Sequence, residues 1–367
     1  MNAAPSPAPD AGSTTSLNAR MAWLHERIRE HHPQVHRVAI ALYDARLGLI
    51  RTYVSSGDAD DALARCEQPL DKVPSLAALA LTHDTRVIHD LAQLKAPLGE
   101  RTAWLLSHGY RSSYTVPLHL SGEPLGFLFF DSRKPGAFDA RLPDALQIHV
   151  QLCRLSLQNI IRLSRAFADR APGVGTDGDR HGDRVAGYSR IIARAVAAHF
   201  GRSDEFVEHV HLFAPMHDIG QPGAPHHAPR EPGAPDDEAR HLIAEQVTLG
   251  LRLVDEVMED TGGALASCAR VLRNIVGDHH EFLDGSGCPR GLRGAEVPLE
   301  ARIVAVADIF DALSSGGAGT PHERNEDALA RLRRLCDAGK LDPLCVAGLA
   351  ADPDAVLEIQ RRFSPVG

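Results

Sequence analysis

The hydrophobic pattern of this chain changes period once, from strand-like to helical, and that order excludes a fold in which strands and helices alternate throughout. Between about residues 20 and 140 the apolar runs are short and rich in β-branched and aromatic residues: Arg37 to Tyr43, Ile50 to Val54, Ser113 to Leu120 and Pro124 to Phe130. Such runs are expected to form strands. Gly122 stands between the last two, where a hairpin turn belongs. One helix is expected around Trp23 to Ile28. From about residue 180 apolar positions recur at helical spacing in Val185 to Phe200, Phe206 to Pro215, Leu242 to Val257, Leu265 to Val276, Ile303 to Leu313 and Ala328 to Leu335. A chain of 367 residues exceeds a typical single core, so two modules are expected, an α+β unit and then an all-α unit.

A long helix joins them. Leu146, Val150, Cys153, Leu157, Ile160, Ser164 and Phe167 step alternately by four and three, the spacing of a coiled-coil seam. This seam either faces a second copy of the chain, giving a homodimer through the connecting helix, or packs the helix on its own domain. Residues 1–18 are Pro, Ala, Ser and Thr without apolar periodicity and are read as a disordered tail. The resulting boundaries are 19–141 for the first module, 142–171 for the connecting helix and 172–367 for the second module. Two irregular loops interrupt the last, one with Pro222, Pro225, Pro229, Pro232 and Pro235, the other with Gly316, Gly317 and Gly319.

Charge and cysteine usage narrow the function. A net charge of -9 gives no general attraction to nucleic-acid backbones, so a small anionic ligand would need positive charge supplied locally. The six cysteines, Cys66, Cys153, Cys268, Cys288, Cys336 and Cys345, include no CxxC pair and read as reduced thiols. No apolar run is long enough to span a membrane and the start lacks a signal pattern, so a cytoplasmic protein is expected.

The chemistry lies in the second module. Three His-Asp dipeptides occur, about what chance supplies from 20 His, yet only His217-Asp218 ends an apolar helix, where a lone carboxylate would be costly. Of three His-His pairs only His279-His280 lies in a stretch dense with turn residues, HHEFLDGSGCPRGL, directly before a helix. His181 opens the first helix of the module, and Asp308 sits inside the strongly apolar ARIVAVADIFDAL. Any one of these alone reads as a hydrogen-bonded core residue. Together, on four segments of one helical domain, they read as ligands. Imidazoles with carboxylates suit iron or manganese, and two such ions activate water and clamp a phosphodiester in line. Two divalent ions against Asp218, Asp308 and a hydroxide leave a residual positive charge that favours an anionic phosphodiester.

Residues 177 to about 345 resemble an HD-GYP domain, a branch of the HD superfamily of metal-dependent phosphohydrolases. The resemblance is carried by His181 with Arg184 and Val185, by APMHDIGQPGAP, and by the run from DHHEFLDGSGCPRGL to VADIFDAL. It implies a helical phosphodiesterase that hydrolyses cyclic di-GMP with two or three iron or manganese ions. His181, His217, Asp218, His279, His280 and Asp308 match the family's metal ligands, and Asp177 falls where a Glu completes the three-metal versions. Roughly residues 20 to 150 are similar to a GAF domain, on RVAIALYD, HDTRVIHDL and GYRSSYTVPLHLSGEPLGFLFFDSRKPGAFDA. This implies a sensory domain for an unidentified small ligand, and the pair implies contacts with other cyclic di-GMP signalling proteins.

The chain departs from the HD-GYP pattern at several points. Gln246, four residues before Gly250, stands where the family has another ligating His, and a Gln carbonyl is a weaker, uncharged donor. Gln221 replaces the Lys that contacts phosphate. After Asp308 the family's Arg and Lys give way to SSGGAGTPHER, and the Tyr of GYP becomes Cys288 in Gly287-Cys288-Pro289. Arg290, Arg293, His322 and Arg324 are the nearest cations able to stand in. Cys288 reads as a buried, unreactive thiol. Two functions follow: a GAF-regulated phosphodiesterase, or a catalytically impaired domain acting as a metal-binding, ligand-binding or protein-interaction scaffold.

Overall fold

In the computed structural model, which describes residues 16–57, 67–95, 98–170, 180–220, 237–260, 266–315 and 324–363, the chain divides into two units, Met1–Asn159 and Ile160–Gly367. The first helix, α1 (Leu17–His31), starts where the Ser16 side chain accepts a hydrogen bond from the Ala19 N–H at 3.2 Å. That cap carries order two residues into the stretch read as a tail. The rest of the tail, residues 1–15, lies outside the described residues.

The first unit continues with β1 (Arg37–Asp44), β2 (Leu49–Gly57), β3 (Glu67–Pro69), α2 (Pro74–Thr82), β4 (Arg86–Ile88), α3 (Glu100–Ser107), β5 (Ser112–Leu120), β6 (Glu123–Ser132) and the single turn α4 (Leu142–Ala145). Six strands form one antiparallel sheet in the order β3-β2-β1-β6-β5-β4, so the first and last long strands meet at its centre. The hairpin between β5 and β6 turns on Ser121 and Gly122, both at positive φ, which matches the right-handed twist of the flanking strands. On one sheet face Leu76, Leu79 and Ala80 of α2 pack on Ala39, Ala41, Ile50, Phe127 and Phe129. Further along that face the fully buried Asp131 accepts hydrogen bonds from Arg37 at 2.8 Å, Arg101 at 2.9 Å and Ser113 at 2.7 Å. Burial pushes the Asp131 carboxyl up, but Arg101 and Arg37 outweigh burial and hold it below its ordinary value.

The helix α5 (Gln147–Arg170) begins in this unit. Its expected seam is used at home: Leu146, Val150, Cys153 and Leu157 are buried, and Cys153 Sγ lies 3.6 Å from Met21 Sδ. The packing alternative therefore accounts for these four positions. A different stripe of α5, Ile148, Leu152 and Leu155, is 62%, 44% and 57% exposed.

The second unit contains α6 (His181–Val196), α7 (Asp204–Phe213), α8 (Asp237–Asp260), α9 (Ala266–Asp278), α10 (Leu299–Ser314), α11 (Asn325–Asp337), α12 (Pro343–Ala350) and α13 (Pro353–Arg362). Among its described residues there is no strand, only an isolated bridge between Asp284 and Arg293. The helix α6 is central and packs against α7, α10, α12 and α13, with Tyr188 edge-on to Phe310 at 5.1 Å. Helices α12 and α13 were not expected from periodicity, being short, but each carries an Asp-Pro start. Asp342 and Asp352 accept from Leu344 N–H and Ala355 N–H, with Pro343 and Pro353 at the first helical position. No helix among the described residues is long and apolar enough to cross a membrane.

Replacing Asp131 by Ala leaves two guanidiniums facing a void in the first unit and is expected to destabilise it by about 3–5 kcal/mol. The depressed carboxyl means that its stabilisation is complete above the unfolded value near 3.8 and is lost as pH falls through the folded value. Urea titrations read by Trp23 and Trp104, both in this unit, check the loss and its absence of acid dependence in Asp131→Asn.

Candidate metal centre

Three helix ends and one helix interior converge on a buried point of the second unit. His181 is the first residue of α6, His217 and Asp218 follow the 3-10 turn Ala214–Met216 at the end of α7, His279 and His280 follow α9, and Asp308 lies within α10. His181 Nε2 stands 3.3 Å from both His217 Nε2 and Asp308 Oδ1. His217 Nε2 lies 3.5 Å from Asp218 Oδ2 and 3.7 Å from Asp308 Oδ1, and His279 Nε2 is 3.3 Å from Asp218 Oδ1. Two groups result, His181 with His217 and Asp308, and His217 with Asp218 and His279. In each, all potential ligand atoms lie within 4.8 Å of one another. The groups share His217.

The imidazoles are oriented from behind. His217 Nδ1 donates to Ala214 O and His279 Nδ1 to Ile275 O, both at 2.8 Å, while His181 Nδ1 donates to Asp311 Oδ2 at 2.8 Å. Asp311 is itself clamped by Arg184, at 2.7 Å and 2.9 Å through Nε and Nη2. With Nδ1 occupied, the Nε2 lone pairs turn toward the shared centre, as ligand imidazoles require. The buried Nε2 of His280 has no hydrogen-bond partner among the described residues and that of His279 has only the 3.3 Å approach of Asp218 Oδ1, a costly state unless a cation accepts their lone pairs.

The electrostatics ask for the same thing. Burial opposes a charged His181, but Asp308 and Asp311 outweigh it and raise its pKa to about 10. Burial lowers His217, and burial beside His279 lowers His280 to about 3. Burial would raise Asp308, yet His181 and His217 hold it well below the carboxylate range. Two carboxylates among imidazoles thus recruit a proton when nothing else neutralises them, and metal ions compete for that role. The donor set fits a metal.

The structure therefore brings together His181, His217, Asp218, His279 and Asp308. His280 stacks beside His279, ring centroids 3.9 Å apart, but belongs to neither group. Gln246 of α8 reaches the centre by another route, its Nε2 donating to Asp218 Oδ1. Gly220 and Gly250 permit this, since a β-carbon on Gly220 would collide with Gln246 O and the Gly250 backbone. The Gly287-Cys288-Pro289 loop runs alongside: Cys288 N–H donates to His280 O at 3.2 Å, and a side chain on Gly287 would strike the backbone of His280 to Phe282. Cys288 is 2% exposed, and burial pushes its thiol up to about 11, so it stays protonated. Asp177, Gln221 and His322 lie outside the described residues.

The cations expected to replace the missing ones are engaged elsewhere. Arg290 pairs with Asp278, Arg293 donates to Asp284 O, and Arg324 pairs with Asp327. Sequence reasoning missed Asp311 and Arg240. Asp311 was legible as the i+3 neighbour of Asp308 on the same helix face. Arg240, which donates to Ser286 O and Gly287 O at 2.9 Å and 3.2 Å, left no signal, because it lies 46 residues away in the chain.

Residues 159–344 match the family model of the HD domain, and residues 24–157 that of the GAF domain. Over 208 residues the chain is 33% identical to the cyclic di-GMP phosphodiesterase response regulator RpfG of Xanthomonas campestris, covering 56% of this chain and 50% of that one. It is 32% identical over 184 residues to a cyclic di-GMP phosphodiesterase of Thermotoga maritima, covering 50% and 46%. It is also 32% identical over 208 residues to the 3'3'-cGAMP-specific phosphodiesterase 3 of Vibrio cholerae, covering 57% and 41%. The chain thus spans about half the length of the curated relatives it matches.

An Asp311→Asn variant keeps every atom that faces the centre but weakens the partner of His181 Nδ1. Its metal affinity is expected to fall about 10- to 100-fold, measured by chelator competition with elemental analysis, while its circular dichroism stays unchanged.

Proposed function

The chain belongs to the HD-domain family, and on that premise we propose that it is a signalling phosphodiesterase that opens a cyclic dinucleotide, cyclic di-GMP, under control of the GAF domain ahead of it. The observation that carries this reading is the pair of His/Asp groups sharing His217. In it, residues 19–141 form the sensory domain, 142–171 the connecting helix and 172–367 the phosphohydrolase domain. His181, His217, Asp218, His279 and Asp308 hold two ions of iron or manganese, for which a mixed imidazole and carboxylate set is suited. His280 serves as a further ligand, and Asp177 serves a third ion. Bound there, such ions supply Lewis acidity toward phosphoryl oxygens and lower the pKa of water.

The residues of the chain do the rest. Asp311, through His181, and the carbonyls of Ala214 and Ile275, through His217 and His279, keep the ligand nitrogens aimed without reorganisation. Asp218 and Asp308 fix the negative charge of the site at a level that two divalent ions exceed, so an anionic diester is attracted. Arg240 and Lys340 hold the loop beside His280, Lys340 Nζ donating to Ser286 Oγ at 2.8 Å. Gly287, Cys288 and Pro289 shape the wall against which the dinucleotide rests, and Gln221 offers it an amide where a Lys would offer charge.

A second reading is favoured by one contact. Gln246 spends its amide N–H on Asp218, so it supports that carboxylate without adding a charged donor, and the site is weaker than one completed by imidazole. A scaffold that binds metal and ligand but turns over slowly fits this. We further propose that the chain dimerises through α5, on the exposed stripe Ile148, Leu152 and Leu155.

Anaerobically purified protein is expected to contain iron or manganese and to hydrolyse cyclic di-GMP, with Asp218→Ala slower by at least about a hundredfold. Gln246→His is expected to raise metal occupancy and turnover. Bound metal without turnover in either form selects the scaffold, and negligible metal overturns both readings. A Leu152→Glu, Leu155→Glu variant is expected to elute as a monomer in light-scattering chromatography, whereas the parent elutes as a dimer.

A further inference from the structure

The C-terminal helix α13 ends on the group that aims a metal ligand. The last carbonyls of a helix have no partner inside it, and they carry the negative end of its dipole. Phe363 caps α13: its N–H donates back to Ile359 O at 3.0 Å, and its own carbonyl accepts from Arg184 Nη1 at 3.1 Å. Arg184 and Phe363 are both buried, so little water competes for this bond. The same guanidinium gives Nε and Nη2 to the two oxygens of Asp311, and Asp311 Oδ2 accepts from His181 Nδ1. One line of contacts thus runs from the end of α13 through Arg184 and Asp311 to the ring of His181, whose Nε2 faces Asp308 and His217.

Losing the Phe363 carbonyl would remove a charge-assisted hydrogen bond from a buried cation. The guanidinium recovers such a loss by turning or by admitting water, and either change disturbs its fork on Asp311. Three further contacts seat the end of α13. The Arg180 guanidinium, one residue before α6, lies 5.8 Å from the centroid of the Phe363 ring. Asn325 and Gln360 exchange amide hydrogen bonds at 2.9 Å and 2.8 Å, which ties α13 to the start of α11. Gly187 lets α13 approach α6, since a β-carbon there would stand 2.7, 3.0 and 3.2 Å from three side-chain carbons of Ile359. The match to the HD model ends at residue 344, so this support comes from beyond the matched residues.

We infer that Arg184 is a positioning residue through which the docked helix α13 sets the affinity of one of the two metal positions, that of His181, His217 and Asp308. The inference rests on the two-ion reading of this site and adds which part of the chain controls which ion. The other position has supports of its own: Ile275 O of α9 aims His279, and Gln246 of α8 holds Asp218. Loosening α13 therefore weakens one ion and spares the other. A general loosening of the domain weakens both.

The test is anaerobic titration of the metal-free full chain with manganese(II) under chelator competition, which reads both binding steps without any turnover. The parent is expected to take up two ions. In Gly187→Ala the added methyl group pushes Ile359 and the end of α13 outward, and the affinity of one ion is expected to fall about tenfold while the other stays unchanged. Adding Ile359→Ala makes room for that methyl group and is expected to restore the lost affinity, whereas a simple packing defect would worsen with a second truncation. Arg184→Lys keeps the charge but loses the fork, and is expected to weaken the same ion at least as much. Circular dichroism verifies the fold of each variant, and either single variant decides the outcome if the other fails to fold. Unchanged affinities in a folded single variant, equal weakening of both ions, or no recovery with Ile359→Ala overturn the inference and leave the two-ion reading standing. A parent that binds fewer than two ions overturns both.

Discussion

Carboxylates set among buried imidazoles must be neutralised, and that requirement governs the second unit. Asp218 and Asp308 stand among imidazoles at the meeting point of helices whose buried faces are largely apolar. An uncompensated charge there would cost several kcal/mol, enough to unfold a typical domain when doubled. The surrounding architecture is arranged around its compensation. Backbone carbonyls and Asp311 take the outer imidazole nitrogens, Arg184 takes Asp311, and the remaining lone pairs point inward. Metal ions are the occupants that satisfy every one of these groups at once.

The first unit solves a related problem with opposite charge. Its buried acid, Asp131, is matched by two guanidiniums and a hydroxyl from its own chain, so that part of the sheet is complete without a ligand. In the neighbouring row Arg86 Nε and the Thr115 hydroxyl have no hydrogen-bond partner among the described residues.

Periodicity revealed most of this fold because both units bury one face of each long element. The four long strands and eight of the helices were legible for that reason. The short β3 was not, since three residues carry no period, and α12 and α13 were signalled only by their Asp-Pro starts. The heptad on α5 was real as a pattern but ambiguous in meaning, because a helix packing on a sheet buries the same spacing as one packing on a twin. At the metal centre the ligand types were readable one by one, whereas the hydrogen bonds that aim them were not: Asp311 acts across 130 residues on His181, and sequence spacing has no access to such a contact.

The close approach of Gly220 to Gln246 O and Gly250 has an evolutionary consequence. It fixes where α8 runs whichever side chain occupies position 246, so the backbone there is set independently of the glutamine. Codons for glutamine and histidine differ at the third base alone. A lineage carrying this chain is thus a single base change from placing an imidazole beside Asp218 on the same backbone.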